Sequence, residues 1–310
     1  MENTRAKTTR NSLILLLTAT IWGMAFVSQS KGMDYMHPFT FNGVRSLIGA
    51  AGILVYILIS RKIAGDKAAK LDWKLNVKAG LLCGIFLTIA STLQQFGIKY
   101  TSVGKAGFIT TLYIIFVPMF GIFLKKKVAP VVWAAAGMAA VGMYLLCMTE
   151  SLRLGAGDIM VFLCAIAFAI QIMTVDHYAA RIDGAVVSCI QFTVCGVVCC
   201  IGALIWGQPT IGQIQEGLGA LLYAGVLSCG VGYTLQIVGQ KGLNPTVAAL
   251  IMSLESVIAT ISGWIAYKIG FLNTDQTLTP RQITGCVIVF AAVILVQLPP
   301  EWFRFGKKNA

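Results

Sequence analysis

Glu255 and Arg45 are the residues whose placement demands a chemical reason. Glu255 stands inside AALIMSLESVIATISGW, residues 248–264, and Arg45 stands in the apolar run that opens at Pro38. In lipid, each such charge costs about 2.5–3.5 kcal/mol on insertion scales, so each needs a cavity or a partner. A carboxyl that loses hydration when it ionises can exchange a proton with its surroundings. It can also stay ionised and bind an ammonium group, or serve structure by tying to Arg45 or to hydroxyls. Arg45 can hold a substrate carboxylate through charge-assisted hydrogen bonds. It can equally pair with helix-end carbonyls, snorkel outward or brace the fold.

Other polar side chains fall in similar apolar runs. Gln94, Gln95, Tyr113, Gln171, Gln191, Tyr233 and Gln236 are candidates to line a passage. Trp22 can stack on a substrate or pack between helices. The candidate substrate-binding set is therefore Trp22, Arg45, Gln94, Tyr113, Gln171, Gln191, Tyr233, Gln236 and Glu255, with Glu255 the candidate for proton coupling. On a helix, Glu255 shares a face with Ala248, Met252, Ala259 and Ser262, while Leu250, Leu254, Val257, Ile261 and Trp264 lie opposite. Small neighbours suit the protein interior or a cavity. Glu255 lies roughly 15 Å into its run and Arg45 about 10 Å into its own, at 1.5 Å per residue.

The elements that must carry these residues are membrane helices. Of the 310 residues, 57% are hydrophobic and 12% charged, and the mean hydropathy is +0.80. Soluble domains carry about 25% charged residues. Ten spans of near-membrane length are predicted: 12–30, 38–60, 76–98, 104–124, 128–149, 155–176, 184–206, 216–239, 245–269 and 281–298. The fold class expected is an all-α polytopic membrane protein, with no segment long enough for a soluble domain. The first span has the basic start and apolar run of a signal peptide but no A-x-A-like site, so it is read as an uncleaved helix.

A net charge of +12 would fit nucleic acid, but its distribution argues otherwise. With a cytoplasmic N-terminus and ten crossings, seventeen of the 24 basic residues face the cytoplasm, six face outward, and Arg45 lies within a span. That bias predicts a multi-pass protein of the bacterial inner or plasma membrane with both termini cytoplasmic. Trp302, Phe303 and Phe305, mixed with Arg304, Lys307 and Lys308, suit the cytoplasmic interface. The nine cysteines form no CxxC pair or Cys/His cluster and read as packing residues, so no metal site or disulfide is expected. No P-loop, G-x-S-x-G or H-E-x-x-H appears, which leaves ATP-driven pumping and enzyme chemistry without support and predicts no cofactor.

The two halves echo each other. TLQQFGIK from Thr92 and TLQIVGQK from Thr234 match at an offset of 142, which also pairs Tyr113 with Glu255. A weaker echo at an offset of 146 pairs Trp22 with Phe168 and Arg45 with Gln191. The chain is thus read as two five-helix repeats, 12–149 and 155–298, with an insertion near Gly270–Pro280. Five is odd, so the second copy enters the membrane inverted, the architecture of transporters with a site near the midplane. Gly80 and Gly84 form a GxxxG suited to close helix contact, and Pro118 is a candidate kink.

Several motifs in this order resemble the EamA-type members of the drug/metabolite transporter superfamily. Ala19-Thr20-Ile21-Trp22-Gly23 resembles the Trp-Gly of the family's first helix. Pro38 through Arg45 resembles its second, Gly107 through Pro118 its fourth, Gly157-Asp158 the start of its sixth, and Leu254-Glu255 its ninth. The chain departs where the family often has Gly-Glu, carrying Leu124-Lys125-Lys126 and Tyr267-Lys268, and has Ser256 where a Pro often follows the ninth-helix Glu. The resemblance implies a ten-helix fold and transport of small metabolites or drugs, often outward. The function expected is a secondary exporter of small amphipathic, amino-acid-like solutes or drugs working by alternating access and coupled to protons, or alternatively an uncoupled facilitator. Its partners would be the small-molecule substrate, protons and the lipid bilayer.

Overall fold

The computed structural model describes residues 2–65, 71–124, 129–147, 155–273 and 277–297. Several residues that enter the charge count lie outside them: Lys67, Lys70, Lys125, Lys126, Lys127, Arg153 and the tail from Trp302 to Lys308. Among the described residues every regular element is helical. They run α1 (Glu2–Gly32), α2 (Pro38–Ala64), α3 (Trp73–Ile98), α4 (Val103–Thr111), α5 (Tyr113–Phe123), α6 (Pro130–Cys147) and α7 (Ala156–Tyr178). There follow α8 (Gly184–Gly202), α9 (Ile211–Glu216), α10 (Leu218–Leu222), α11 (Tyr233–Gln240), α12 (Pro245–Met252), α13 (Leu254–Lys268) and α14 (Pro280–Gln297). Two stretches, Ala203–Gly207 and Tyr223–Gly232, wind more widely, as π-helix.

Among the described residues, eight helical stretches are long and apolar enough to cross a membrane. They are α1 from Lys7, α2, α3, α4 with α5, α7, α8 through Gly207, α10 through α11, and α12 with α13. The protein is a multi-pass helical membrane protein. Of the ten expected spans, the other two fall on α6 and α14, whose apolar stretches among the described residues are Pro130–Gly142 and Pro280–Leu295. Those two helices pack against each other, α1 lies on α13, α2 on α8, and α3 on both α7 and α8.

Local chemistry sets the helix ends. Pro38 opens α2 behind His37, whose Nδ1 accepts the Phe39 N–H at 3.4 Å. Partial burial and the Lys99 ammonium push the His37 imidazole below its ordinary value, which keeps the neutral acceptor that the cap requires. Asp72, Ser102 and Asp183 cap α3, α4 and α8, and Asn244 with Pro245 opens α12.

Three expected spans prove to be interrupted. The fourth breaks at Leu112, between α4 and α5, and the ninth at Ser253, between α12 and α13. Just at these joints the Thr111 hydroxyl donates to Phe108 O at 2.9 Å and the Ser253 hydroxyl donates to Leu250 O at 2.7 Å. Both side chains and both carbonyls are mates at the 142 offset. A hydroxyl folded back on its own helix competes with the regular ladder and bends it. Pro118, the expected kink, sits inside α5 and the break lies six residues before it. The eighth span is interrupted by the wide winding of Tyr223–Gly232.

The starts of α4 and α7 are joined by a compact polar knot. Lys105 Nζ lies 2.6 Å from Asp158 Oδ2, the Thr101 hydroxyl donates to Oδ1 at 2.9 Å, and Gly155 N–H donates to Oδ2 at 2.9 Å. Asp158 is only 4% exposed. Removing one partner of such a pair leaves the other charge uncompensated. Asp158→Ala is therefore expected to lower the unfolding free energy by about 3 kcal/mol. Thermal unfolding in detergent is the measurement, and a melting temperature equal to that of the parent would contradict it.

Candidate functional site

One cavity lies at the centre of the bundle, and eight of the nine sequence-predicted residues line it. They are Trp22, Arg45, Gln94, Tyr113, Gln171, Tyr233, Gln236 and Glu255. The ninth, Gln191, is fully buried elsewhere, and neither its Oε1 nor its Nε2 has a hydrogen-bond partner. Its backbone sits against Gly84. The GxxxG of α3 draws α8 close, with Ile190 and Val194 beside Gly80 and Gly84, and Gln191 is caught in that seam.

Glu255 lies in the first turn of α13, 4% exposed. The Tyr113 hydroxyl donates to its Oε1 at 2.9 Å. Tyr113 occupies the matching first turn of α5. Leu250, Leu254 and Val257, set opposite Glu255 in the sequence reading, are buried too, because α12 and the start of α13 are surrounded by protein. Only Ile261 of that face is exposed.

Arg45 is 5% exposed, its guanidinium lies 5.3 Å from the Phe41 ring centre, and its Nε is buried without a hydrogen-bond partner. The ion pairs among the described residues are Lys31–Asp34 and Lys105–Asp158. Arg45 and Glu255 are therefore not bridged to each other, although both face the same cavity.

The remaining walls are aromatic and amide. Trp22 and Tyr233 have ring centres 4.5 Å apart, and Phe192 meets Tyr233 edge-on at 5.0 Å. Trp22 Nε1–H donates to Ser228 O at 3.4 Å, inside the wide-turn stretch. Gln171 and Gln236 exchange two amide hydrogen bonds of 3.4 and 3.2 Å, and Gln94 donates to the Thr110 hydroxyl at 3.2 Å. Such a surface can hold a small molecule with a cationic end, an anionic end and an apolar body. The space open to the centres of water molecules is about 40 Å³.

Sequence reasoning missed Gln29, Ser46, Ser91, Thr110, Phe192 and Ser228, which also line the cavity. The repeat offsets held part of the signal. Seven lining pairs stand at related positions: Trp22/Phe168, Phe26/Ile172 and Ser46/Phe192 at 146, with Leu87/Cys229, Ser91/Tyr233, Gln94/Gln236 and Tyr113/Glu255 at 142.

Gly23, beside Trp22, lets α1 meet α13 at the acid. A Cβ there would lie 2.6 Å from Ile258 Cβ and 2.7 Å from Glu255 O. Gly23→Val is expected to cost about 1–3 kcal/mol through overpacking and to push Glu255 from its place. Melting temperature and substrate flux, measured together, should both fall. A variant with parental values of each would show that the two helices yield freely there.

The profile of the EamA-like transporter family matches the chain twice, over residues 10–148 and 155–298. The chain belongs to that family. Curated relatives of this EamA-like chain include an uncharacterized transporter of Archaeoglobus fulgidus, 28% identical over 92% of this chain and 84% of the relative. Another is the uncharacterized transporter YwfM of Bacillus subtilis, 26% identical over 94% of each. A solved crystal structure covers 96% of this chain and 99% of its own with a TM-score of 0.73. At 16% identity that likeness shows the fold. Family and relatives together point to a membrane transporter rather than an enzyme.

Proposed function

We propose that this EamA-like chain is a secondary transporter that exports a small amino-acid-like or drug-like solute across the inner or plasma membrane. Two inverted five-helix repeats, 12–149 and 155–298, cross the membrane ten times with both termini in the cytoplasm. They rock against each other around the central cavity. Arg45 takes the substrate's anionic end, and Glu255 links release of a proton to capture of its cationic end. Trp22 and Tyr233 cover the apolar body, while Gln94, Gln171 and Gln236 orient it.

The observation that carries this reading is the hydrogen bond between Tyr113 and Glu255. Each residue is the other's repeat mate, 142 positions apart. Mates of an inverted repeat touch only where its pseudo-two-fold axis passes, and that axis lies in the membrane plane. A midplane acid at the junction of two broken helices is where alternating access needs its coupling group.

An uncoupled facilitator is the second reading, favoured by the same bond if Tyr113 simply satisfies a structural carboxylate. Proteoliposomes holding a trapped pH dye decide between them. Amino acids, lipophilic cations and nucleosides are presented in turn. Proton movement driven by one substrate class is the expected result. Substrate uptake with no proton movement would leave the facilitator, and no uptake of any class would reject the assigned substrates.

A further inference from the structure

A second, wider cavity of about 610 Å³ lies at the end of the bundle where α2, α7 and α11 finish and α3 and α8 begin. Among the helices that line both it and the central site is α11. Tyr233 and Gln236 face the centre, whereas Thr234, Val238 and Lys241 line this groove.

The groove has a polarity gradient. Its rim carries Arg61 in the last turns of α2, Arg181 in the turn after α7, and Lys241 after α11. Its deeper wall is Tyr56, Ile57 and Val238. Tyr56 precedes Arg61 by five residues and Val238 precedes Lys241 by three, so the apolar wall extends about 5–8 Å along the helices from the basic rim. Tyr56 is exposed on α2, a helix apolar enough to cross a membrane, as are Val55, Leu58 and Ile59. The groove therefore opens toward acyl chains as well as toward water.

Among the described residues no carboxylate pairs with the rim cations, and Arg181 lies 6.0 Å from the Tyr178 ring centre. Asp72 and Asp183 also line the groove, but both carboxylates are engaged as helix caps. Asp72 accepts the Leu75 N–H at 3.0 Å, and Asp183 accepts the Ala185 and Val186 N–H groups at 2.9 and 3.2 Å. Neither arginine forms an ion pair among the described residues. Lys241 Nζ donates to Ile182 O at 3.3 Å, which holds its ammonium over the rim. Three cations against two capping carboxylates leave one net positive charge.

We propose that this groove binds an anionic phospholipid, its phosphate held by Arg61, Arg181 and Lys241 and an acyl chain laid on Tyr56, Ile57 and Val238. A free anion would use the rim and ignore the apolar wall. A neutral lipid would use the wall and ignore the rim. The positive-inside reading places the lipid in the cytoplasmic leaflet, and only the choice of leaflet rests on it. Because α11 carries both sites, the lipid braces the back of the helix whose front holds Tyr233 and Gln236.

The test is native mass spectrometry of the full-length protein in a neutral detergent, titrated with phosphatidylglycerol or phosphatidylcholine. Phosphatidylglycerol should occupy one site at least about tenfold more tightly than phosphatidylcholine. Arg61→Gln combined with Arg181→Gln should weaken it about 30-fold, from the strength of a basic residue near anionic lipid. Arg181→Gln alone, at an exposed turn, should weaken it about fivefold and guards against a misfolded double variant. Inorganic phosphate should leave bound phosphatidylglycerol in place. Equal binding of the two lipids, undiminished binding in both variants, or displacement by phosphate alone would each overturn the proposal.

Discussion

Glu255→Gln should abolish substrate-driven proton movement while leaving the fold intact. The amide has the shape of the carboxyl, and its oxygen still accepts the Tyr113 hydroxyl that now lies 2.9 Å from Oε1. What it cannot do is gain and lose a proton or hold an ammonium by charge. A hydrogen bond to a charged group contributes about 1.5–3 kcal/mol, so substrate flux should fall about 10- to 150-fold. The residual flux should no longer respond to external pH. Dye-loaded proteoliposomes read both quantities in one experiment. A variant whose flux keeps the parental pH profile would remove Glu255 from the coupling role, whatever its rate.

Arg45→Gln should raise the KM for a substrate that carries a carboxylate by about 10- to 100-fold. Arg45 is buried, lines the cavity, has no anionic partner among the described residues and keeps one donor unused. Under the proposed function, a substrate carboxylate supplies that missing acceptor. Glutamine retains a donor but neither the charge nor the fork. The informative comparison is with the same substrate lacking its carboxyl group, whose KM should change little. An equal loss for both compounds would make Arg45 a brace of the fold. Paired with Glu255→Gln, the experiment separates recognition of the two ends of the solute.

The buried acid and base were legible because membrane spans are so poor in charge that one Glu and one Arg stand out. The echo of Thr92-Leu93-Gln94 in Thr234-Leu235-Gln236 made Gln94 and Gln236 legible as a pair, and both line the cavity. The interruptions at Leu112 and Ser253 were not legible. A Thr or Ser in an apolar run reads the same whether its hydroxyl folds back on its own helix or reaches a neighbour. The wide winding of Tyr223–Gly232 has no distinct residue signature either, and it alters which side chains of that span face inward. Gln191 shows where symmetry misleads. Its mate Arg45 reaches the cavity, but Gln191 has the shorter side chain and lies on the strip of α8 that Gly84 draws against α3.

The narrowness of the central cavity bears on how tightly any solute can be held. At about 40 Å³ it has room for roughly three water molecules, whereas sites for small ligands measure about 300–1,000 Å³. Under the proposed function, a solute in this cavity meets a conformer in which the walls have moved apart. Its observed dissociation constant is the intrinsic one divided by the fraction of molecules in that conformer. Changes far from the cavity that favour the parted form will sharpen apparent affinity without touching the solute. A covalent tether across the Gln171–Gln236 contact will erase binding itself, as well as passage.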